Sequence, residues 1–521
     1  MTRGRAAWLL AAAVLALGAL SLRLGQDINF DLLNYHYYAG YALLHGRMDR
    51  DVVPGGIQTF QSPVLHAFHY LGLAHLPSRL FGFLLGGLHG LNMPVLFLLG
   101  LAVLSRAEPR RAPAIALLAA LVGGMGPAAI SLLGTTFGDN LASIPALLAL
   151  VLVVRHVDGS GRSSHAATLL AAGTLAGVAT GLKPTLGLSH VALFVTLAVA
   201  LRRRESDFRA LGFFLLGSVL GFAPTGGFRC WELYERFDNP VFPMANALFR
   251  SEFYEPVNFR DARFVARTSY DILRPAVDIA LGRSERILEV GLRDGRFLLL
   301  LVASLLCLAL AAFEPVRRRR GGPRFLPLLP AERALLVYWV TAYLAWVGVF
   351  YYYRYIAFLE FTAPLVLFVL VRRLVPGRLL PHVLLAIAAV LTLTTRSESW
   401  GRRRWDQGGL ELTVSPMGLQ PGSLVLLVGQ PISYAIPSFR EDARFALAIL
   451  DEFGPTPRWR ERVADLVASH RGPLLLLSTF GHSPPEAEAR AAELGLRLTG
   501  RCETAGRGPL RLRLCELQRA P

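Results

Sequence analysis

An acidic and aromatic stretch, QDINFDLLNYHYYAGYALLHGRMDRD, begins at Gln26 directly after the first apolar block of a 521-residue chain. If Asp31 starts a helix, Tyr35 and Tyr38 share its face at i+4 and i+7, with Asn34 and Tyr37 beside them. A carboxylate there can take a proton from an attacking hydroxyl while a phosphate leaves, which is general-base chemistry. Asp27, one turn earlier, is a second candidate base, and Asn34, Tyr35 and Tyr38 are candidate contacts to a sugar. The plainer use of these residues is anchoring, because tyrosines gather at membrane–water boundaries and an Asp after a membrane helix often serves as a solvated cap.

Four further residues could do chemistry. Asp139 stands in the GDN of TTFGDN, Lys183 in GLKPT, and Arg354 and Glu360 in RYIAFLEFTAPL. Lys183 is the only lysine among 54 basic residues, and a compact ammonium can contact a phosphate where a planar guanidinium does not fit. Arg354 and Glu360 begin an apolar block, where an unpartnered charge costs on the order of 3 kcal/mol, so both predict an internal cavity or a partner. Arg354 could equally be an interfacial anchor. Six of the twelve histidines precede residue 90; His66 and His69, at i and i+3, could hold a metal with a carboxylate, but no third ligand follows from spacing, and no metal-binding residue is assigned. No CxxC motif, phosphate-cradling GxxxxGK[ST] loop or internal repeat is present.

The elements that must position these residues are membrane helices. Hydrophobic residues are 53% of the chain, charged residues 17%, and mean hydropathy is +0.43. The apolar residues fall in blocks of the length that spans a hydrocarbon core. About eleven crossings are predicted, near 6–24, 79–104, 113–133, 139–155, 166–182, 185–201, 209–225, 296–313, 334–350, 355–371 and 381–395. Met1–Leu20 also has the form of a secretory signal; it is read as an uncleaved first helix. The net charge of +17 reports topology. Arg3 and Arg5, Arg106, Arg110 and Arg111, Arg202–Arg204, Arg317–Arg320, and Arg372 and Arg373 all lie in alternate short connections, which places those connections and the N-terminus in the cytoplasm. They form no basic face with interleaved aromatics, so nucleic-acid binding is excluded.

Residues 1–400 are therefore a transmembrane domain with outer loops 25–78 and 226–295. Residues 401–521 are a small α/β domain on the outer side, with apolar runs SLVLLVG and PLLLLSTF, amphipathic stretches Asp442–Phe453 and Arg460–Ser469, and the alternating end LRLRLCEL. Cys502 and Cys515 flank a turn between two predicted strands, a spacing that suits a disulfide in an oxidising compartment. Cys230 and Cys307 are read as packing residues.

The acid early in the first outer loop, the GDN acid at the outer end of the next hairpin, GLKPT and RYIAFLEFTAPL together resemble the GT-C-type glycosyltransferases, and NPVFPMANALF is similar to bacterial members. These are multi-helix membrane enzymes that move a sugar from a polyprenyl-phosphate carrier. The resemblance implies Asp31 as catalytic base, with Asp27 as the other candidate. It implies Asp139 as an assisting acid, which in some members helps bind a metal or orient the acceptor. Lys183 and Arg354 would balance the donor phosphate, and Tyr35, Tyr37 and Tyr38 would bound the sugar. The partners implied are a polyprenyl-phosphate-linked sugar and a periplasmic lipid, glycan or protein acceptor, at the inner membrane of a bacterium. Many members carry an adjacent Asp-Glu pair in the first loop, which this chain lacks, so the base and any divalent metal cofactor stay open. Two other uses fit the same pattern: a transporter or flippase of a lipid-linked glycan, whose buried charges would line a pathway, and a non-catalytic membrane scaffold.

Overall fold

The computed structural model describes residues 3–159, 165–201, 208–259, 261–283, 286–315, 326–405, 410, 414–448, 457–479, 484–505 and 509–521. The arginine runs 202–204 and 317–320 and the stretch 449–456 lie outside them. Two compact units emerge: a helical unit of residues 1–23, 83–225 and 261–400, and a mixed unit of residues 24–82, 226–260 and 401–521. The boundary expected after residue 400 is one edge of the mixed unit, which also takes in the first connection and the start of the large one.

A helix stands wherever a crossing is predicted, from Arg3–Leu24 through Asp139–Asp158 to Ala357–Leu374 and Leu380–Thr394. Among the described residues six segments are long and apolar enough to cross a membrane, and four apolar helices are shorter. The crossing predicted over 113–133 is broken. The helix Ala112–Gly124 stops, and Pro127 restarts the chain as the short helix Pro127–Ser131, because proline cannot donate to the preceding turn and is tolerated at a helix start.

Lipid gives apolar helices no hydrophobic reason to associate, so close backbone approach must hold them. The helices His165–Leu182 and Phe208–Phe222 each carry glycines four apart, Gly173 and Gly177 on one, Gly217 and Gly221 on the other. A Cβ at Gly217 would lie 2.1 Å from the Leu170 carbonyl oxygen, and one at Gly221 2.0 Å from that of Thr174. His190 adds polar glue, meeting Thr180 Oγ1 at 3.1 Å and Ser218 Oγ at 2.8 Å.

The mixed unit is built on a five-stranded sheet in the order β4-β3-β5-β7-β6. Strands β3 (Leu424–Val428), β4 (Arg444–Leu447) and β5 (Leu474–Thr479) are parallel, and β7 (Leu512–Arg519) runs antiparallel to both β5 and β6 (Leu496–Ala505). The two apolar runs in the sequence are β3 and β5, fully buried as parallel strands require. The stretch beginning at Asp442 opens as strand β4. A ladder of β1 (Gln26–Asp27) and β2 (Arg402–Arg403) joins the two ends of the unit. Cys502 and Cys515 are opposite one another in the β6–β7 ladder and form a disulfide.

The first connection is not a free loop. Val52 adds to the open edge of β4, its N–H on the Phe445 carbonyl at 2.8 Å and its own carbonyl receiving the Leu447 N–H at 3.0 Å. Beneath that bridge the Asp51 carboxylate gathers Arg47 Nε at 2.9 Å, Arg47 Nη2 at 2.8 Å, the Tyr38 hydroxyl at 3.0 Å and the Phe445 N–H at 3.0 Å. Arg47 spends its remaining donors on the Glu441 and Ala443 carbonyls, each at 2.8 Å. Every polar atom of this buried pair therefore has a partner, which offsets its desolvation.

Two outcomes test this packing. Gly217→Val should lower the apparent thermal stability of the detergent-purified protein by about 1–3 kcal/mol through overpacking. Gly212→Val on the same helix, where a Cβ meets nothing within 4 Å, should leave it within error. Asp51→Ala should cost about 3–5 kcal/mol by stranding Arg47, seen as rapid proteolysis of residues 401–521; joint replacement of Arg47 by Met and Asp51 by Leu should recover most of the loss.

Candidate active site

In the mixed unit the first connection does form a helix at Asp31, but with a π turn over Leu32–His36, where the Tyr37 N–H bonds the Leu32 carbonyl. That extra residue moves the expected i+4 register by one, a distortion common at functional sites. Asp31 is left partly exposed, while Asn34, Tyr35, Tyr37 and Tyr38 are buried. Asp27 is buried too. Its Oδ1 receives the Asn29 N–H at 3.0 Å and the Asn29 side-chain amide at 2.6 Å, and it pairs with Arg402 in the β1–β2 ladder. Asn29 in turn accepts the Leu32 N–H at 2.8 Å, so Asp27 and Asn29 brace the start of the helix that carries Asp31. Between the two candidate bases, geometry favours Asp31 as the one that can meet a substrate.

The aromatic residues act from behind. Tyr35 meets His36 at 4.3 Å and His66 edge-on at 5.4 Å, and His36 stacks on His66 at 4.3 Å. Gly40 lets this helix cross Val64–His75, since a Cβ there would lie 2.3 Å from the His66 carbonyl oxygen. Tyr38 donates to Asp51; burial, then the neighbouring carboxylate, hold its hydroxyl well above the ordinary tyrosine range. Asn34 donates to the Gly55 carbonyl at 3.1 Å and takes the Ser433 hydroxyl on its own carbonyl. Asn34 and Tyr38, two of the candidate sugar contacts, are thus both buried, with these bonds made to the protein.

The helical unit brings three of its four sequence-selected residues together. Gly138, at φ +84°, turns the chain into the helix Asp139–Asp158, a conformation that favours glycine. Lys183, 44 positions on, reaches back with Nζ 2.7 Å from Asp139 Oδ2 and 2.5 Å from the Phe137 carbonyl. The ring of Phe137 carries the Arg354 guanidinium 4.3 Å from its centroid, with the Trp400 ring 5.2 Å from the same cation. Arg354 is paired with Glu289 at 3.3 Å. Two cations, Lys183 and Arg354, therefore share Phe137 and are each paired with a carboxylate, an arrangement in which a phosphate can compete for the cations.

Glu360 lies one layer further in and is completely buried. Its oxygens take the Ala128 N–H at 2.9 Å, the Ala129 N–H at 3.0 Å and the Tyr353 hydroxyl at 2.7 Å, with Arg296 Nη1 at 3.8 Å. Arg296 is balanced by Asp294 at 3.1 Å. Glu360, the fourth residue selected from sequence, thus has both carboxyl oxygens bonded within the protein. It fixes the short helix Pro127–Ser131, whose Ala129 carbonyl receives the Asn140 amide at 2.9 Å, next to Asp139, and whose Ser131 receives Trp400 Nε1 at 3.3 Å. Asp294, Arg296, Glu289, Phe137 and Trp400 were not singled out from sequence. The DGR at the mouth of an apolar block was the one available signal, since charge at a membrane helix end calls for a partner.

Among the described residues no group of three or more His, Cys, Asp or Glu side chains could hold a metal ion. Asp139, the acid linked to metal binding by the resemblance, carries an ammonium instead, and no step through a metal is derived.

The Asp139–Lys183 pair can be tested directly. Lys183→Met and Asp139→Asn should each destabilise the protein, and the double variant should be less damaged than the sum, with a coupling of about 0.5–3 kcal/mol in thermal unfolding.

No protein-family model matches the chain, and no curated protein matches it by sequence. Among solved structures, the fold is similar to that of ArnT from Cupriavidus metallidurans bound to undecaprenyl phosphate. The TM-score is 0.51 at 13% identity, over 99% of this chain and 98% of that one. The same protein in its apo state matches over 98% and 97% with a TM-score of 0.48 and 14% identity. The chain shares the fold of that protein.

Proposed function

We propose, from a fold shared across nearly all of both chains, that this protein is a GT-C-type glycosyltransferase of a bacterial inner membrane. It takes a sugar from a polyprenyl-phosphate carrier and gives it to a lipid, glycan or protein on the periplasmic side. The observation that carries the reading is the pair Lys183 and Arg354, one half-buried and one buried cation gathered around Phe137, in a chain whose fold is also that of a protein crystallised with undecaprenyl phosphate.

The reaction is a single displacement with inversion. Asp31 removes the proton of the acceptor hydroxyl. The acceptor oxygen bonds to the anomeric carbon as the bond from that carbon to the phosphate oxygen breaks, and the electron pair leaves on the polyprenyl phosphate. Lys183 and Arg354 neutralise the charge that grows there, which is electrostatic stabilisation of the kind worth most in a site shielded from water. Asp139 orients Lys183, and Glu289 orients Arg354. The Cys502–Cys515 disulfide supports an oxidising, periplasmic position for the C-terminal segment.

The decisive assay is sugar transfer from a labelled polyprenyl-phosphate donor pool in membranes carrying the wild type, Asp31→Asn or Asp27→Asn at equal abundance. Asp31→Asn should lose at least about a hundredfold in rate, the usual range for general-base removal. Transfer that survives in Asp31→Asn and fails in Asp27→Asn moves the base; absence of transfer in every form turns the reading to transport or scaffolding.

A further inference from the structure

The mixed unit carries charge that this reaction does not use. A cleft of about 650 Å³ opens among Arg50 and Val52 of the first connection, Arg444 at the head of β4, and Arg462, Asp465, Leu466 and Ser469 of the helix Pro457–Ser469. On that helix Trp459, Val463 and Val467 are buried at i, i+4 and i+8 and define the inner face. Arg462, Asp465, Leu466 and Ser469, at i, i+3, i+4 and i+7, share another face and border the cleft together. Arg444 is exposed at the rim because the next three residues of β4 are buried and the Phe445 N–H is clamped by Asp51.

The charges of this cleft are not balanced within it. Asp49, a further lining residue, is taken by Arg236, and Arg50 donates to the Asp442 carbonyl at 2.5 Å. Among the described residues neither Arg444 nor Arg462 forms an ion pair, and neither does Asp465. Partial burial, and then the positive charge of Arg444, hold the Arg462 guanidinium below the ordinary arginine range. Two like charges on one concave surface repel, and an oxyanion between them turns that repulsion into charge-assisted hydrogen bonds, for which the planar guanidinium fork is well shaped. Asp465 can accept hydrogen bonds from hydroxyl or amino groups, and Val52 and Leu466 offer an apolar patch against which a sugar ring can lie.

We propose that this cleft binds an anionic saccharide, with a phosphate or carboxylate held by Arg444 and Arg462 and ring substituents held by Asp465, and that it recognises the acceptor glycan. The acceptor role rests on the glycosyltransferase reading; the binding does not.

The test uses the full-length protein in detergent, titrated calorimetrically with glucose 1-phosphate, glucuronate, glucose and inorganic phosphate. Both anionic sugars should bind, glucose should not, and inorganic phosphate should bind more weakly than the sugar phosphate. Affinity for the anionic sugars should fall about tenfold or more in Arg462→Gln, and further in the double variant with Arg444→Gln, a tenfold loss being about 1.4 kcal/mol. Unchanged binding in the double variant, or glucose binding as tightly as glucose 1-phosphate, overturns the site. Equal affinity for inorganic phosphate overturns its assignment to a saccharide. In the transfer assay the double variant should raise the acceptor KM with kcat unchanged, and an unchanged KM overturns the acceptor role. If the wild type transfers no sugar yet still binds glucose 1-phosphate through Arg444 and Arg462, the glycosyltransferase reading fails and the cleft stands.

Discussion

A single carboxylate organises the interior of the helical unit. Glu360 is completely buried, so its carboxyl group must have its hydration replaced by hydrogen bonds and charge from the protein. Two backbone N–H groups, a tyrosine hydroxyl and the Arg296–Asp294 pair supply them. The N–H groups belong to a helix start, whose first donors have no partners within the helix. The broken crossing at Pro127 thereby becomes an asset: the break frees donors, and the carboxylate uses them. Gly126 is required beside it, because a Cβ there would lie 1.9 Å from Glu360 Oε1. From that anchored turn one contact leads to Asn140 and another to Trp400, and so to both cations that the proposed reaction employs.

The mixed unit follows the same logic with different residues. Arg47 and Asp51 are one helical turn apart and almost fully buried, and they join three pieces of chain that local propensity would leave separate: the aromatic helix through Tyr38, the sheet edge through Phe445, and the chain leading into β4 through two carbonyls. Burying an ion pair is seldom the most stabilising choice, but it is selective. Apolar contacts alone would tolerate a slipped register of Val52 against β4; a bidentate carboxylate does not.

How much of this is readable from residues depends on range. The apolar helices were legible because lipid imposes a length and an apolar composition, and β3 and β5 because parallel strands are apolar on both faces. Lys183 stood out as the single lysine and Asp139 by its place after a glycine, and the two prove to be partners. Their pairing was not legible, since nothing in GLKPT or TTFGDN specifies a contact across 44 positions. The π turn escaped notice because helical periodicity assumes a fixed pitch; it decides which of the residues near Asp31 face outward. The burial of Tyr38 and Asn34 was hidden for that reason, and the partners of Glu360 because a buried charge announces a partner without saying whether that partner is ligand or protein. Nothing in the sequence marks Arg444 and Arg462 as neighbours; the fold places both on one cleft.

The mixed unit draws its chain from three separated stretches, and its sheet edge is completed by residue 52 meeting residue 446. A ribosome delivers residue 52 before the apolar helices between the two and residue 446 after them. The segment bearing Asp31 therefore cannot complete its packing against β4 until those helices have been made, so its support is tied to the synthesis of the whole intervening chain.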